Sequence, residues 1–374
     1  MNPLLSPLRP ALRKVALAIA GFACVVSGAA HAQIVAPNVA VPFYTAGDFM
    51  RSAYRFWYAP QAHAFAEQAR GLPAAVSALC DASAGTSAEK LAQARERWKT
   101  TALAWDRLSG VQVGPLVQRR SARQIDFTPT RPELIKRAIQ AAPQDATAME
   151  SIGTPAKGLP ALEWLLWSQP VSLSAPATPA CRYAVQVSAD IQREADALAK
   201  AFNELAAHKP GEAEENNGPA MSELVNQWTG ALERLRWAEM EKPRMAGAAA
   251  PGAAQGRNTA SYARSASGQT AARWAAQWQA LRTLGTSQAR EAPLPGTGLT
   301  PLETYLRGLG RNEPANQLAQ AVNKADKALQ NLSPANKAGM STASRSLADL
   351  KKLAEADIAP ALEVSIGFSD ADGD

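Results

Sequence analysis

The sequence contains few of the side chains that build metal, phosphate and nucleophile sites. Its 374 residues include three histidines and three cysteines. No His-Glu-x-x-His pair, paired-cysteine zinc pattern, phosphate-binding glycine loop or Ser-His-Asp order is evident. His63 and Glu67 are four residues apart on a predicted helix and could ligate a metal, or form an ordinary surface pair. The common zinc, P-loop and serine-hydrolase classes are therefore excluded.

Strict alternation of apolar and polar residues is also nearly missing, which excludes a sheet-rich fold. Alanine, leucine, glutamine, lysine, arginine and glutamate dominate, and these residues favour helices. The predicted fold class is all-α, with two halves that are helical bundles. We predict helices near 43–58, 61–80, 87–109, 131–142, 159–168, 181–208, 220–241, 269–284, 300–309, 314–331 and 335–356.

The first 32 residues read as an export signal. Arg9, Arg13 and Lys14 form a basic start, 15–26 is apolar, and 30–32 supplies a small-x-small cleavage pattern. We therefore predict a signal peptide at 1–32 and a periplasmic protein. Lipidation at Cys24 is less favoured, because the residues before it lack the usual aliphatic position.

The mature chain carries almost no net charge. Without the three basic residues of the signal, 39 − 3 = 36 Lys and Arg face 33 Asp and Glu, a net charge of +3. Nucleic-acid binding usually requires a clustered basic face, so no nucleic-acid partner is expected. No later segment is long and apolar enough to predict a transmembrane helix.

Two cysteines, Cys80 and Cys181, remain after the signal. An even number of cysteines in an oxidising compartment favours one disulfide, and two separate buried thiols are the alternative.

Three stretches interrupt the helical pattern, at 168–180, 210–219 and 243–268, and the last is a long predicted loop. The first divides the mature chain into an N-terminal half, 33–175, and a C-terminal half, 176–374. Each half has a tryptophan-bearing helix followed by a Gly-Leu…Leu-Glu helix, which predicts an internal duplication.

The two Leu-Glu helices place a carboxylate on an apolar face. Glu163 lies between Leu159 and Leu166 on a helical wheel, and its pseudo-equivalent Glu303 lies in a similar position beside Arg307. An unpaired buried carboxylate costs several kcal/mol, roughly, so each must be paired with a cation, protonated, metal-bound or close to a helix N-terminus. Both glutamates are predicted in a first turn, where the helix dipole favours an anion and a purely structural role is an open alternative.

Gly158 to Glu163, read as Gly-Leu-Pro-Ala-Leu-Glu, resembles the Gly-x-His-x-x-Glu signature of imelysin-like proteins, also called the peptidase M75 family, with Pro160 at the histidine position. The likeness extends from about residue 43 to the chain end. Further similar elements are Val113-Gly114-Pro115, Ile125-Asp126-Phe127, Glu241-Lys242-Pro243, Arg264-Ser265-Ala266-Ser267 and the terminal segment from Gly367 to Asp374.

The resemblance implies an exported all-helical protein associated with iron or haem acquisition, and a metallopeptidase label. Because Pro160 replaces the nitrogen ligand, a metal at Glu163 would be held through oxygens, which suit Fe(III) better than Zn(II). We therefore expect a binding or accessory protein without peptidase turnover; the alternative is an M75-type metallopeptidase. A third hypothesis is a structural protein without catalytic activity, in which the two glutamates only hold helices together.

The candidate site lies between the two halves. Glu163 is its acidic group, and the expected ligand is iron or a small anion, with envelope iron-uptake proteins as partners. Three arginines after Gly114 could bind an anionic ligand or pair with Glu163, and two residues of the long loop could cover the pocket or belong to a solvated linker. These candidates are Arg119, Arg120, Arg123, Arg264 and Ser265.

Overall fold

The computed structural model describes residues 41–83, 85–170, 178–208, 218–249, 261–289 and 291–367. The predicted signal peptide and most of the terminal segment from Gly367 lie outside these residues. Every regular element in the described ranges is a helix, which confirms the all-α prediction. None of those helices combines the length and the apolar character needed to cross a membrane.

The helices agree closely with the predicted positions, and four π-helical turns interrupt or extend them, at Tyr54–Tyr58, Trp164–Ser168, Arg234–Glu241 and Ala354–Ile358. The helices are α1 (Ala46–Ala53), α2 (Ala59–Arg70), α3 (Leu72–Cys80), α4 (Ser87–Leu108), α5 (Pro115–Gln118), α6 (Ser121–Ile125), α7 (Pro132–Ala141), α8 (Ala146–Glu150), α9 (Gly158–Glu163), α10 (Pro179–Ala207), α11 (Gly218–Glu233), α12 (Lys242–Ala249), α13 (Thr270–Gly285), α14 (Leu302–Gly308), α15 (Asn312–Leu329), α16 (Lys337–Leu353) and α17 (Ala359–Ala361).

Local sequence explains several helix starts. Thr45 caps α1 through a reciprocal bond with Asp48, so both backbone N–H groups have acceptors. The Thr178 side chain accepts the Cys181 N–H at the start of α10, where Pro179 needs no partner for its missing N–H. These caps fix where the chain enters the bundle.

Two sets of helices share one hydrophobic core, which contains several buried tryptophans. In the first, α2, α3, α4 and α10 contact one another, and in the second, α13, α15 and α16 pack in series with α11. Helix α10 contacts α2 and α3, although the predicted boundary at 175 places it in the second half. The contact between α4 and α13 joins the two sets. The duplication stays a prediction.

The predicted disulfide is present. Cys80, at the end of α3, and Cys181, in the first turn of α10, have their sulfurs 1.94 Å apart. Both residues are buried. The bond therefore links two packed helices across 101 residues of sequence.

The predicted loop at 243–268 is only partly a loop. Its first residues are helical in α12, and residues 261–269 form successive turns that lead into α13. Ala-rich sequence explains the extension of helix, since alanine is the best helix former. The turns place buried side chains in the centre of the molecule.

All six tyrosines have a pKa above the ordinary value, because burial disfavours the phenolate. Burial, with a contribution from Glu223, raises the pKa of Tyr54 to about 12. A raised folded pKa means that the unfolded chain releases protons first, so stability falls as the pH rises above the ordinary value of 10. In an absorbance titration, we expect tyrosine ionisation to coincide with alkaline unfolding. Reversible ionisation near pH 10 of a chain that stays folded would contradict this expectation.

A candidate site at a buried ion cluster

Glu163 is buried, with 5% of the residue exposed. It is the last residue of α9 and directly precedes the π-helical turn Trp164–Ser168. The predicted first-turn position is therefore wrong, since α9 begins five residues earlier, and the helix N-terminus does not stabilise this carboxylate. Instead, Glu163 Oε1 accepts a hydrogen bond of 2.8 Å from the backbone N–H of Ser267.

The start of α9 depends on Gly158. This residue has a φ of +76°, and a Cβ atom built on it would lie 2.3 Å from the carbonyl oxygen of Ile125. Only glycine permits this close approach of backbone to backbone. The contact fixes α9 against α6 and thereby sets the position of Glu163.

We expect Gly158→Ala to lower the free energy of unfolding by at least about 2 kcal/mol, because the clash adds to a left-handed backbone cost of about 1–2 kcal/mol. The matched control is Gly296→Ala, since Gly296 has a φ of +79° and open space around its Cβ position. Urea unfolding of both variants measures the difference. Equal losses would show that the Ile125 contact is unimportant.

A cluster of five charged side chains lies beside Glu163, at the contact between α4 and α13. We call it the ion cluster. Its carboxylates come from α4, from the residue after α6, and from the π-helical turn before α12; its guanidinium groups come from the 261–269 turns and from α13. The members are Asp106, Asp126, Glu239, Arg264 and Arg273.

Arg273 is the centre of the ion cluster. Its Nη1 lies 2.5 Å from Asp106 Oδ1 and 2.6 Å from Asp126 Oδ2. Its Nε and Nη2 donate to the two oxygens of Glu239 at 2.8 and 2.6 Å, a bidentate geometry that adds strength and specificity. One guanidinium therefore holds three carboxylates from separate elements.

Arg264 supplies the second guanidinium. Its Nη2 donates to Asp106 Oδ1 at 3.1 Å and to Asp126 Oδ2 at 3.0 Å. The same group lies 5.3 Å from the ring centroid of Trp98, a cation–π distance. Its charge also acts on Glu163, which the Ser267 bond holds nearby.

The turn at 262–269 has to be tight for Arg264 to reach inward. Arg264 has a φ of +63°, which is uncommon for a residue with a side chain. Its carbonyl oxygen accepts the Gln269 N–H at 3.0 Å and the Ser267 hydroxyl at 3.1 Å. These local bonds hold the strained backbone in place.

Burial and opposite charge act against each other on the two aspartates. Burial raises the pKa of Asp106 above the ordinary value, although both guanidinium groups lower it in part. Burial also acts to raise the pKa of Asp126, but Arg264 and Arg273 together hold it below the ordinary value. Arg273 has a raised pKa, since three carboxylates outweigh its burial. Asp106 is thus the aspartate that protonates more readily.

The structure places the predicted arginines in different environments. Arg119, whose side chain is 41% exposed, pairs with Glu194 at 2.7 Å, because α5 and α6 pack against α10. Arg120 and Arg123 are exposed. Arg264 is 2% exposed, and the carboxylates of Asp106, Asp126 and, to a smaller extent, Glu163 act together to raise its pKa against the effect of burial.

Two other predicted residues take different roles from those expected. Ser265 is exposed and donates its N–H to Tyr262, whereas Ser267 contacts Glu163. Glu303 lies in the first turn of α14, as predicted, and is only partly buried. Its carboxylate bonds Arg307 at 2.8 Å and accepts the Ser287 N–H at 3.2 Å.

Sequence reasoning missed three members of the ion cluster, Asp106, Glu239 and Arg273. Asp106 and Arg273 interrupt largely apolar stretches, since Asp106 follows Trp105 and Arg273 precedes Trp274, whereas Glu239 lies among other charged residues. The criterion that singled out Glu163, a charge within an apolar stretch, would have found Asp106 and Arg273 but not Glu239. Asp126 was noticed only as part of a motif.

Comparisons with known proteins identify the family. The family model described as Imelysin, Peptidase_M75, matches residues 58–359. No curated protein matches significantly. Among solved structures, an imelysin-like protein from Psychrobacter arcticum 273-4 superimposes with a TM-score of 0.62 at 17% identity, covering 86% of this chain and 97% of that chain.

A second structure, from Parabacteroides distasonis ATCC 8503, is named as an iron-regulated protein A precursor. It superimposes with a TM-score of 0.65 at 12% identity, over 85% of this chain and 94% of that chain. At these identities, both structures support the fold alone. The match of the family model over most of the sequence decides the assignment: this chain belongs to the imelysin, or peptidase M75, family.

Proposed function

We propose that this protein is an exported binding or accessory protein of iron acquisition that performs no peptide hydrolysis. One observation carries the proposal: guanidinium groups hold the buried carboxylates beside Glu163. Asp106 and Asp126 each contact both Arg264 and Arg273. A metal ion bound by these oxygens would have to displace a permanent cation and leave it buried without a partner.

The Gly-x-His-x-x-Glu comparison supports the same interpretation. At position 160 the chain has a proline, which is buried within α9 and has no side-chain nitrogen to offer a metal. The Glu163 carboxylate accepts a hydrogen bond from the backbone N–H of Ser267 instead. In a zinc peptidase, a metal-bound water attacks the peptide bond, and that chemistry needs an open coordination position beside the general base.

The link to iron comes from family membership and from the name of the Parabacteroides structure. The periplasmic location follows from the predicted signal peptide. In this account, the ion cluster keeps the two sets of helices in one arrangement, and a ligand or an envelope partner binds elsewhere on that body.

Metallopeptidase activity is the second candidate, because the family carries that label. We expect purified mature protein to leave a denatured protein substrate intact, with and without a chelator. Cleavage that the chelator stops and that Glu163→Gln abolishes would establish the peptidase instead. Glu303→Gln is the matched control, since Glu303 also accepts a serine backbone N–H but is more exposed.

The variant Glu163→Gln also distinguishes a structural role of Glu163 from a role in binding iron. The amide keeps an oxygen that can accept the Ser267 N–H but removes the charge that faces Arg264. We expect a lower midpoint of thermal unfolding and an iron content, measured by elemental analysis of protein from its native compartment, equal to that of the wild type. A loss of iron in this variant alone would place the iron site at Glu163 and contradict the proposal.

A further inference from the structure

A cleft lies between α10 and the helix formed by α1, its π-helical turn and α2. Its volume is about 830 Å³. The residues that line it are Arg51, Arg55, Ala59, Pro60, His63, Asn203, Ala206, Ala207 and His208. This size is within the usual range for a site that binds a small organic molecule.

The charge of the cleft is one-sided. Two arginines and two histidines line it, and no carboxylate is among its described lining residues. His63 and His208 are 145 positions apart in sequence, and they are the only histidines after the predicted signal peptide. The fold therefore brings every such histidine of the mature chain to one cleft, beside two guanidinium groups.

The π-helical turn Tyr54–Tyr58 aligns one side of the cleft. Arg51, Arg55, Ala59 and His63 are spaced by four residues, and each such step in an α-helix advances by about 40° around the axis. A π-helical turn holds about one more residue per turn, which offsets this drift. All four residues consequently lie along the same wall.

Nearby groups compensate only part of the positive charge of the arginines that line the cleft. Arg51 lies 3.5 Å from Asp48, so its charge is partly compensated by a pair whose side chains are 31% and 18% exposed. Arg55 is exposed, and its guanidinium carbon lies 5.4 Å from the centroid of the Phe56 ring. The carbonyl groups at the end of α10 also attract cations, and two arginines and two histidines line the cleft beside that end.

From this arrangement we propose that the cleft binds a small oxyanion with two or more negative charges, either a polycarboxylate or a phosphate-bearing molecule. Arg55 would bond two of its oxygens, His63 and Asn203 would donate further hydrogen bonds, and the alanine and proline side chains would contact its carbon skeleton. The proposal does not depend on the function of the ion cluster.

Isothermal titration of the mature protein with citrate, inorganic phosphate and acetate at matched ionic strength tests the proposal. We expect citrate or phosphate to bind and acetate, with its single charge, to bind at least tenfold more weakly. Citrate binding alone would identify the polycarboxylate source, and phosphate binding alone the phosphate source. Binding of neither, or acetate binding as tight as citrate binding, would overturn the proposal.

Substitutions of residues that line the cleft test whether the anion binds there. Arg55→Gln and His63→Gln should each weaken the anion about tenfold or more, because each loses a charge-assisted hydrogen bond. Arg345→Gln, an exposed arginine on α16, should stay within twofold. Unfolding midpoints check that all three variants are folded. If Arg55→Gln lowered stability but left the affinity unchanged, the basic side chains would serve only to cap α10, and the proposal would be wrong.

Discussion

Replacing Arg273 with methionine should lower the free energy of unfolding by about 3–5 kcal/mol. The side chain is 7% exposed and contacts Asp106, Asp126 and Glu239 at 2.5–2.6 Å. Its loss leaves three carboxylates buried with one guanidinium fewer, and that penalty exceeds the value of the pairs themselves. Urea unfolding monitored by tryptophan fluorescence measures the change.

The matched control is Lys324→Met. Lys324 lies 2.7 Å from Asp349, a distance similar to those of Arg273, but the two side chains are 64% and 61% exposed. An exposed pair contributes about 0–1 kcal/mol, so this variant should unfold near the wild-type midpoint. Equal losses of unfolding free energy in the two variants would show that burial does not explain the contribution of the ion cluster to stability.

Removal of the disulfide should have the second large effect. The double variant Cys80→Ala, Cys181→Ala opens a loop of about 100 residues, and the chain-entropy model gives a loss of up to about 4.7 kcal/mol. Replacing both cysteines avoids an unpaired buried thiol. The sulfurs link α3 to α10, so the native packing of the first set of helices should persist.

Wild-type protein unfolded with and without reductant provides the control for the disulfide. Under reducing conditions, its urea midpoint should move towards that of the double variant, and the variant itself should not respond to reductant. Thiol titration of the denatured wild type should detect no free thiol from these two residues. An unchanged midpoint on reduction would mean that the bond adds nothing to stability.

Local pattern predicted the long helices well. Apolar periodicity gave 87–109 for α4 and 269–284 for α13, against the observed Ser87–Leu108 and Thr270–Gly285. It missed α5, α6 and α8, because four or five residues span little more than one turn and show no period. It also joined α2 and α3, which Gly71 separates.

The candidate site was predicted only in part. Glu163 and Arg264 were identified because one lies on an apolar helix face and the other belongs to a family motif. Asp106, the partner of Arg264, was not identified, since the two residues are 158 positions apart in sequence and nothing local encodes that pairing. Arg119 shows the same limit, because its partner, Glu194, is 75 residues away on α10.

At the contact between α4 and α13, we expect guanidinium groups, and no metal ion, to neutralise the carboxylates. Anomalous diffraction from crystals of the mature protein equilibrated with Fe(III), and separately with Zn(II), tests it most directly. We expect no anomalous peak within bonding distance of Asp106, Asp126, Glu163 or Glu239, with Arg264 and Arg273 in their present contacts. A metal peak among these oxygens, with a guanidinium displaced, would contradict it.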